Sequence, residues 1–164
     1  MSLDLTIQNR QRTRAINSRY LEQIITTLLS DLLDVKQVEL GVTLVAASEM
    51  TRLNETFLKH EGSTDVITFD YREPGTSRLK PGSVIRGEIL VCVQEAILQA
   101  RRFRATWQQE VIRYVVHGVL HLLGYDDGRV ADRRKMKREE TRLLHLIVSR
   151  FALSQLARKT KLAR

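Results

Sequence analysis

Apolar positions recur along the chain at two periods, and the periods divide it into elements. Leu3, Leu5 and Ile7 alternate with Asp4 and Thr6, which predicts a short strand. The polar, basic segment 9–14 reads as a loop. From Asn17 and Ser18 onward, Tyr20, Leu21, Ile24, Ile25, Leu28, Leu29 and Leu32 recur at three and four, the mark of a helix with one apolar face. Val38, Leu40, Val42 and Leu44 then alternate with Glu39, Gly41 and Thr43, giving a half-buried strand over Val38 to Ala47. Ser48 is a good N-cap, and Thr51 to Phe57 predicts a short helix. Leu58 to Ser63 is a loop carrying His60, Glu61 and Gly62. Thr64 to Tyr71, β-branched and aromatic, is a third strand. Arg72 to Ile85 holds both prolines and reads as a surface loop, and Gly87 to Val93 is a fourth strand. Gln94 to Phe103 is helical and ends in Arg101, Arg102 and Arg104.

Thr106, with Gln109 three residues on, caps the next helix. That helix is the centre of the chain. Val111, Ile112, Val115, Val116, Val119, Leu120, Leu122 and Leu123 make it apolar almost all round, so it is buried. Gly124 stops it. The chain is helical again from about Val130 to Leu156, with Met136, Leu143, Leu144, Ile147, Val148 and Phe151 as an apolar stripe. Its opposite side is basic, through residues such as Arg133, Arg134, Lys137 and Arg138, and reads as a solvated face. The fold expected is α+β, a sheet of about four strands covered by helices. Residues 1–164 form a single domain in this reading, with a basic helical C-terminal extension from about 150.

The buried helix carries the candidate chemistry. His117 and His121 are four apart, so they stand one turn above each other on one face. Past the Gly124 stop, Asp127 can swing back towards them. Two imidazoles and one carboxylate with a fourth position open are the ligand set of a catalytic zinc site. A pair of core histidines with ordinary hydrogen-bond partners is the plain alternative. In the H-E-x-x-H pattern of metallopeptidases the residue after the first His is the general base; here it is Gly118, which transfers no proton, and a peptidase reading loses its support.

Charge narrows the partners. The formal net charge is +8 and the pI about 10.1, which favours a polyanion, nucleic acid first and an acidic membrane second. No apolar run is long enough to span a membrane, and the start of the chain has no secretory pattern, so a cytoplasmic protein is expected. Cys92, the sole cysteine, excludes an internal disulfide and reads as a buried inert thiol.

Three segments are similar to the YbeY family of bacterial endoribonucleases. H-G-V-L-H-L-L-G-Y-D-D, from His117 to Asp127, resembles that family's H-G-x-L-H-L-x-G-Y-D-H. S-T-D-V-I-T-F, from Ser63 to Phe69, resembles its P-T-D-V-L-S-F and is preceded by L-N-E-T-F at Leu53. G-E-I-L-V at Gly87 resembles its G-D-I-x-I strand. The resemblance implies a small mixed sheet sandwiched by helices, with the metal helix behind it. It also implies one zinc ion per chain and no organic cofactor. The implied activity is hydrolysis of single-stranded RNA in rRNA maturation, chiefly at the 3′ end of the small-subunit rRNA, and in ribosome quality control. The implied partners are rRNA and the ribosome or its small-subunit proteins, with no membrane. Two positions depart from the family pattern. Asp127 stands where the third ligand is usually His; the added negative charge moves the site towards a harder metal. Leu58 stands where the family usually has a basic Arg associated with catalysis.

The candidate site is therefore His117, His121 and Asp127 as metal ligands, with a metal-activated water as attacking group. His60 is a candidate general acid/base, and Lys59, Arg86, Arg101 and Arg102 are candidate RNA contacts. Asp126 is either an acceptor for a ligand imidazole or a turn residue, and Asp65 caps and orients its strand. Two further readings stay open: a ribosome-assembly or rRNA-binding factor with a structural metal, favoured by Leu58, and a metal-dependent hydrolase of another substrate.

Overall fold

The computed structural model describes residues 1–58, 62, 64–73 and 84–158. Four strands form one sheet: β1 (Ser2–Asn9), β2 (Gln37–Val45), β3 (Val66–Asp70) and β4 (Val84–Cys92). Their order is β1-β2-β4-β3, with β1, β2 and β4 parallel and β3 antiparallel to β4, so the sheet is mixed as expected. The helices are α1 (Ser18–Thr27), α2 (Ala47–Leu53), α3 (Val93–Phe103), α4 (Trp107–Leu122) and α5 (Val130–Arg150).

The alternation in β2 and β4 decides which face of the sheet is covered. Val38, Leu40, Val42 and Leu44 of β2 join Ile85, Ile89 and Val91 of β4 in the main core. Leu21, Ile24 and Ile25 of α1, the apolar side of α4, and Met136, Leu143, Leu144 and Ile147 of α5 complete it. The sandwich is uneven. On the opposite face a small second core of Val45, Met50, Ile67, Leu90 and Cys92 lies under α2, while Asp4, Thr6, Gln8, Glu39 and Glu88 line an uncovered polar hollow. Cys92 is a buried thiol, as its strand position implied. No described helix is long and apolar enough to cross a membrane.

Several boundaries move. The second helix begins at Ala47, before the expected Ser48 cap, and continues into a wide turn at Asn54–Leu58. The last helix ends at Arg150, not Leu156. Phe151 and Ala152 bracket the exit as extended residues, and Leu153–Leu156 form a single 3₁₀ turn. Buried Leu156 and the Ile16–Ala157 bridge hold this segment against the start of α1, so it is not a helical extension. Residues 159–164, the end of the basic tail, lie outside the described residues. Val148 was expected in the apolar stripe but is 47% exposed.

Two glycines set the distance between the helical layer and β4. A Cβ on Gly118 would lie 2.9 Å from Ile89 side-chain carbons. A Cβ on Gly87 would lie 2.3 Å from the Phe69 carbonyl oxygen and 2.8 Å from Leu122. The absence of a side chain at 118 is thus a packing requirement, and a Glu general base has no room there. Gly118→Ala tests this through its sign. Helix propensity alone would stabilise the protein by about 1 kcal/mol. The overpacking predicts instead a net loss of about 1–2 kcal/mol in urea unfolding, partly recovered by adding Ile89→Val.

Candidate metal centre

α4 delivers both imidazoles on its one wet stripe. Thr106 caps its first turn by accepting from the Gln109 N–H at 3.2 Å, as the sequence implied. Glu110, Val111, Ile112, Tyr114, Val115, Val116, Val119 and Leu120 are buried, whereas the His117 and His121 side chains are each 28% exposed. At the other end Gly124 takes φ +101°, which only glycine adopts without strain. The Gly124 N–H donates to the His121 carbonyl at 3.0 Å and the Tyr125 N–H to the Leu120 carbonyl at 3.0 Å. This paired closure is a Schellman motif. It turns the Tyr125 carbonyl back onto the helix, where it accepts from His121 Nδ1 at 3.1 Å.

His117 has a different partner for the same nitrogen. Glu140 of α5, a buried carboxylate, accepts from His117 Nδ1 at 2.9 Å through Oε2. Its other oxygen accepts from Arg113 Nη1 at 3.2 Å and lies 3.5 Å from Lys137 Nζ. Arg113 also lies 3.4 Å from buried Glu110. Burial pushes the Glu140 carboxyl up, but the His117 hydrogen bond and the Lys137 and Arg113 cations outweigh it and hold it below the ordinary glutamate value. Glu140 is therefore an ionised acceptor.

These two partners fix the tautomers. A carbonyl oxygen only accepts, so His121 carries its proton on Nδ1, and the Glu140 carboxylate draws the His117 proton to the same position. With both rings neutral, the two Nε2 atoms are acceptors, and they lie 3.1 Å apart. Two acceptors at that distance repel unless a cation lies between them. A tetrahedral zinc about 2.0–2.1 Å from each nitrogen would space them at roughly 3.3 Å. Asp127 Oδ2 sits 3.4 Å from His121 Nε2, and one ligand atom from each of the three residues falls within 4.8 Å of the others. The donor set fits a single metal ion, with Asp127, 51% exposed, on the open side.

The remaining candidates divide. Asp126 accepts from the Asp127 and Gly128 N–H groups at 2.7 and 3.2 Å, which holds its carboxyl below the usual range; it is the turn residue, and the imidazole acceptors are Tyr125 and Glu140. Asp65 accepts from the Val66 N–H at 2.8 Å and starts β3, as expected, and it also lines the cleft. Arg86 is exposed, faces away from α4 on β4 and pairs with Glu39 at 3.0 Å; the structure does not bring it to the metal residues. Arg101 and Arg102 are exposed in the last turn of α3. Lys59 and His60 lie outside the described residues. Leu58 is 43% exposed and does line the cavity that contains His117, His121 and Asp127.

Arg72, assigned by its neighbours to a surface loop, is an anchor. Its side chain is 5% exposed, and the guanidinium donates to the Val84 carbonyl at 2.6 Å, to the Leu122 carbonyl, and to Asp70 at 3.1 Å. It ties the root of the β3–β4 connection to an orphan carbonyl at the end of α4. Glu140 was missed for a similar reason. An acidic residue in a charged helix gives no signal by itself; only its i, i+4 relation to buried Met136 placed it on the inner stripe.

The family model described as "Endoribonuclease YbeY" matches residues 6–148. The chain is 35% identical over 144 residues to an endoribonuclease YbeY of Chlorobium phaeovibrioides, covering 87% of this chain and 91% of that one. It is 32% identical over 145 residues to that of Salinibacter ruber, covering 88% and 92%. A solution structure of a Thermotoga maritima protein superposes with a TM-score of 0.65 at 25% identity, covering 98% of this chain and 99% of that one.

If Glu140 fixes the His117 tautomer, Glu140→Gln weakens metal binding about 10- to 100-fold with little change in helix content. A competition titration against a chromophoric chelator measures this, and equal affinities would remove Glu140 from the centre.

Proposed function

Because the chain belongs to the YbeY endoribonuclease family, a family of metal-dependent hydrolases, we propose that it is a zinc-dependent endoribonuclease acting on single-stranded RNA. Its substrate in this reading is rRNA, at the 3′ end of the small-subunit molecule, with a further part in ribosome quality control in the cytoplasm. The observation that carries the reading is the pair of Nε2 atoms 3.1 Å apart beside Asp127, each on a ring whose Nδ1 lies against a named acceptor.

His117, His121 and Asp127 would hold the ion, and two nitrogens with one oxygen suit zinc. When bound, the metal supplies Lewis acidity at the scissile phosphate and activates water as the nucleophile near neutral pH. The chain's own residues set the stage for that. Glu140 and the Tyr125 carbonyl hold both imidazoles by Nδ1 and keep them correctly turned. Asp127 closes the donor set from the far side of the Gly124 stop. Two cavities of about 640 Å³ each meet at His117 and Asp127, so a single strand can pass across the centre without a closed pocket to enter. Gly118, pressed on Ile89, leaves no place for the base of a peptidase.

Leu58 favours a second reading. It lines the cavity at the metal residues and offers neither charge nor hydrogen bond, which suits an rRNA-binding assembly factor whose metal is structural. Cleavage of a labelled single-stranded RNA separates the two. The enzyme reading predicts cleavage that a chelator abolishes and that His117→Ala lowers at least about 100-fold. Tight, salt-dependent binding with no cleavage, and a lower melting temperature on chelation, would leave the binding factor in its place.

A further inference from the structure

We propose that the α5 wall of the cleft, through Arg133, Arg134 and Lys137, grips backbone phosphates of the RNA beside the scissile bond. The inference rests on the endoribonuclease reading and assigns its substrate grip to particular residues.

The residues fall on one stripe of α5. Val130, Arg133, Arg134, Lys137 and Glu140 are spaced by three and four, and all line the cavity that contains His117 and Asp127. The stripe descends from water into the core. Val130, Arg133, Arg134 and Lys137 are exposed, and Glu140 at its foot is buried against His117. A helix face that is merely solvated would not end on the acceptor of a metal-ligand imidazole.

The cations on this wall are not equivalent. Arg113 is committed to Glu110 and Glu140 and is 24% exposed, so its guanidinium has a structural task. Lys137 is 66% exposed and touches Glu140 only at 3.5 Å. Arg133 reaches the Asp127 carbonyl at 3.5 Å, the outer limit of a hydrogen bond, which places a guanidinium directly beside a metal ligand. Neither Arg133 nor Arg134 has a carboxylate partner among the described residues. An unpaired guanidinium keeps its fork of donors for a phosphate. Arg133 and Lys137 stand one turn apart, about 6 Å along the helix axis, and give the strand two separate points of attachment.

Among the described residues, the other side of the centre offers nothing comparable. Its cavity is lined by Leu58, Thr68, Asp70, Tyr125 and Asp126 among others, with no Lys or Arg in the described lining. A polyanion crossing the metal is thus held by charge on the α5 side, and by shape and the metal centre on the β3 side. The cationic help that position 58 does not supply comes from the opposite wall.

The test compares two double variants of equal charge loss, both at exposed positions: Arg133→Ser with Arg134→Ser, and Arg12→Ser with Arg19→Ser around the start of α1, outside the cleft lining. The probe is a labelled single-stranded 2′-O-methyl oligoribonucleotide, which resists cleavage, bound to the metal-loaded protein over a range of salt. The α5 pair is expected to raise Kd about tenfold at low salt and to flatten the slope of log K against log salt by about 1.4, the value for two phosphates on a single strand. In cleavage of the all-ribose strand it raises KM with kcat nearly unchanged. The Arg12–Arg19 pair leaves Kd and slope within about twofold of the parent. Equal losses from both pairs, or an unchanged slope in the α5 pair, would overturn the assignment. A parent protein that binds through the α5 pair yet never cuts the all-ribose strand would uphold the grip and remove the enzymatic reading instead.

Discussion

The contact between Gly118 and Ile89 sets the depth at which α4 rests on the sheet, and the geometry of the metal centre follows from it. With a hydrogen in place of a side chain, the helix sinks far enough for its apolar residues to disappear into the core. One stripe is left wet, and that stripe carries His117 and His121. Depth alone does not aim the rings. Arg72 fixes the end of α4 to the strands, the Schellman closure at Gly124 returns the Tyr125 carbonyl, and α5 brings Glu140. Each of these contacts reaches the imidazoles from a different element, so the centre exists only in the assembled fold.

Holding two histidines by Nδ1 has a chemical consequence. The acceptors remove any choice of tautomer, and the two lone pairs that remain are turned on each other. In water such a pair would rotate apart or protonate. Here the rings are packed against their acceptors, and a cation held between them would relieve the repulsion. The same acceptors raise the basicity of the ligand nitrogens. Asp127 contributes a negative charge that an imidazole would not, so the centre is less positive than one with three histidines, and binding an RNA phosphate depends more on cations outside the ligand set. The α5 wall is where such cations are free.

The elements were legible because the apolar period was clean. β2 alternates over Val38–Leu44, α1 repeats at three and four, and α4 is apolar almost all round; burial alternates in the first halves of β2 and β4, and covers both faces at their ends, where α2 adds the second core. The metal ligands were legible because the i, i+4 spacing and the glycine stop are local signals. What the sequence could not show was long-range. Arg72 looked like loop because its partners, Val84 and Leu122, are distant along the chain. Glu140 and the Arg133–Lys137 stripe looked like an ordinary solvated helix face, because nothing in α5 itself says that α4 passes beneath it. Arg86 was grouped with the RNA contacts on charge alone, and strand parity puts it on the far side of the sheet. The end of the last helix was misplaced because Leu153 and Leu156 extend the apolar pattern, while the chain has already turned to meet Ile16.

Two imidazoles held by Nδ1, with Asp127 beside them, make a site for a cation. Elemental mass spectrometry on protein purified without a metal-affinity column measures this directly. The account predicts about one zinc ion per chain, lost in His121→Ala, in keeping with a three-ligand site. A folded chain that carries no metal, and takes none up when zinc is supplied, would contradict it.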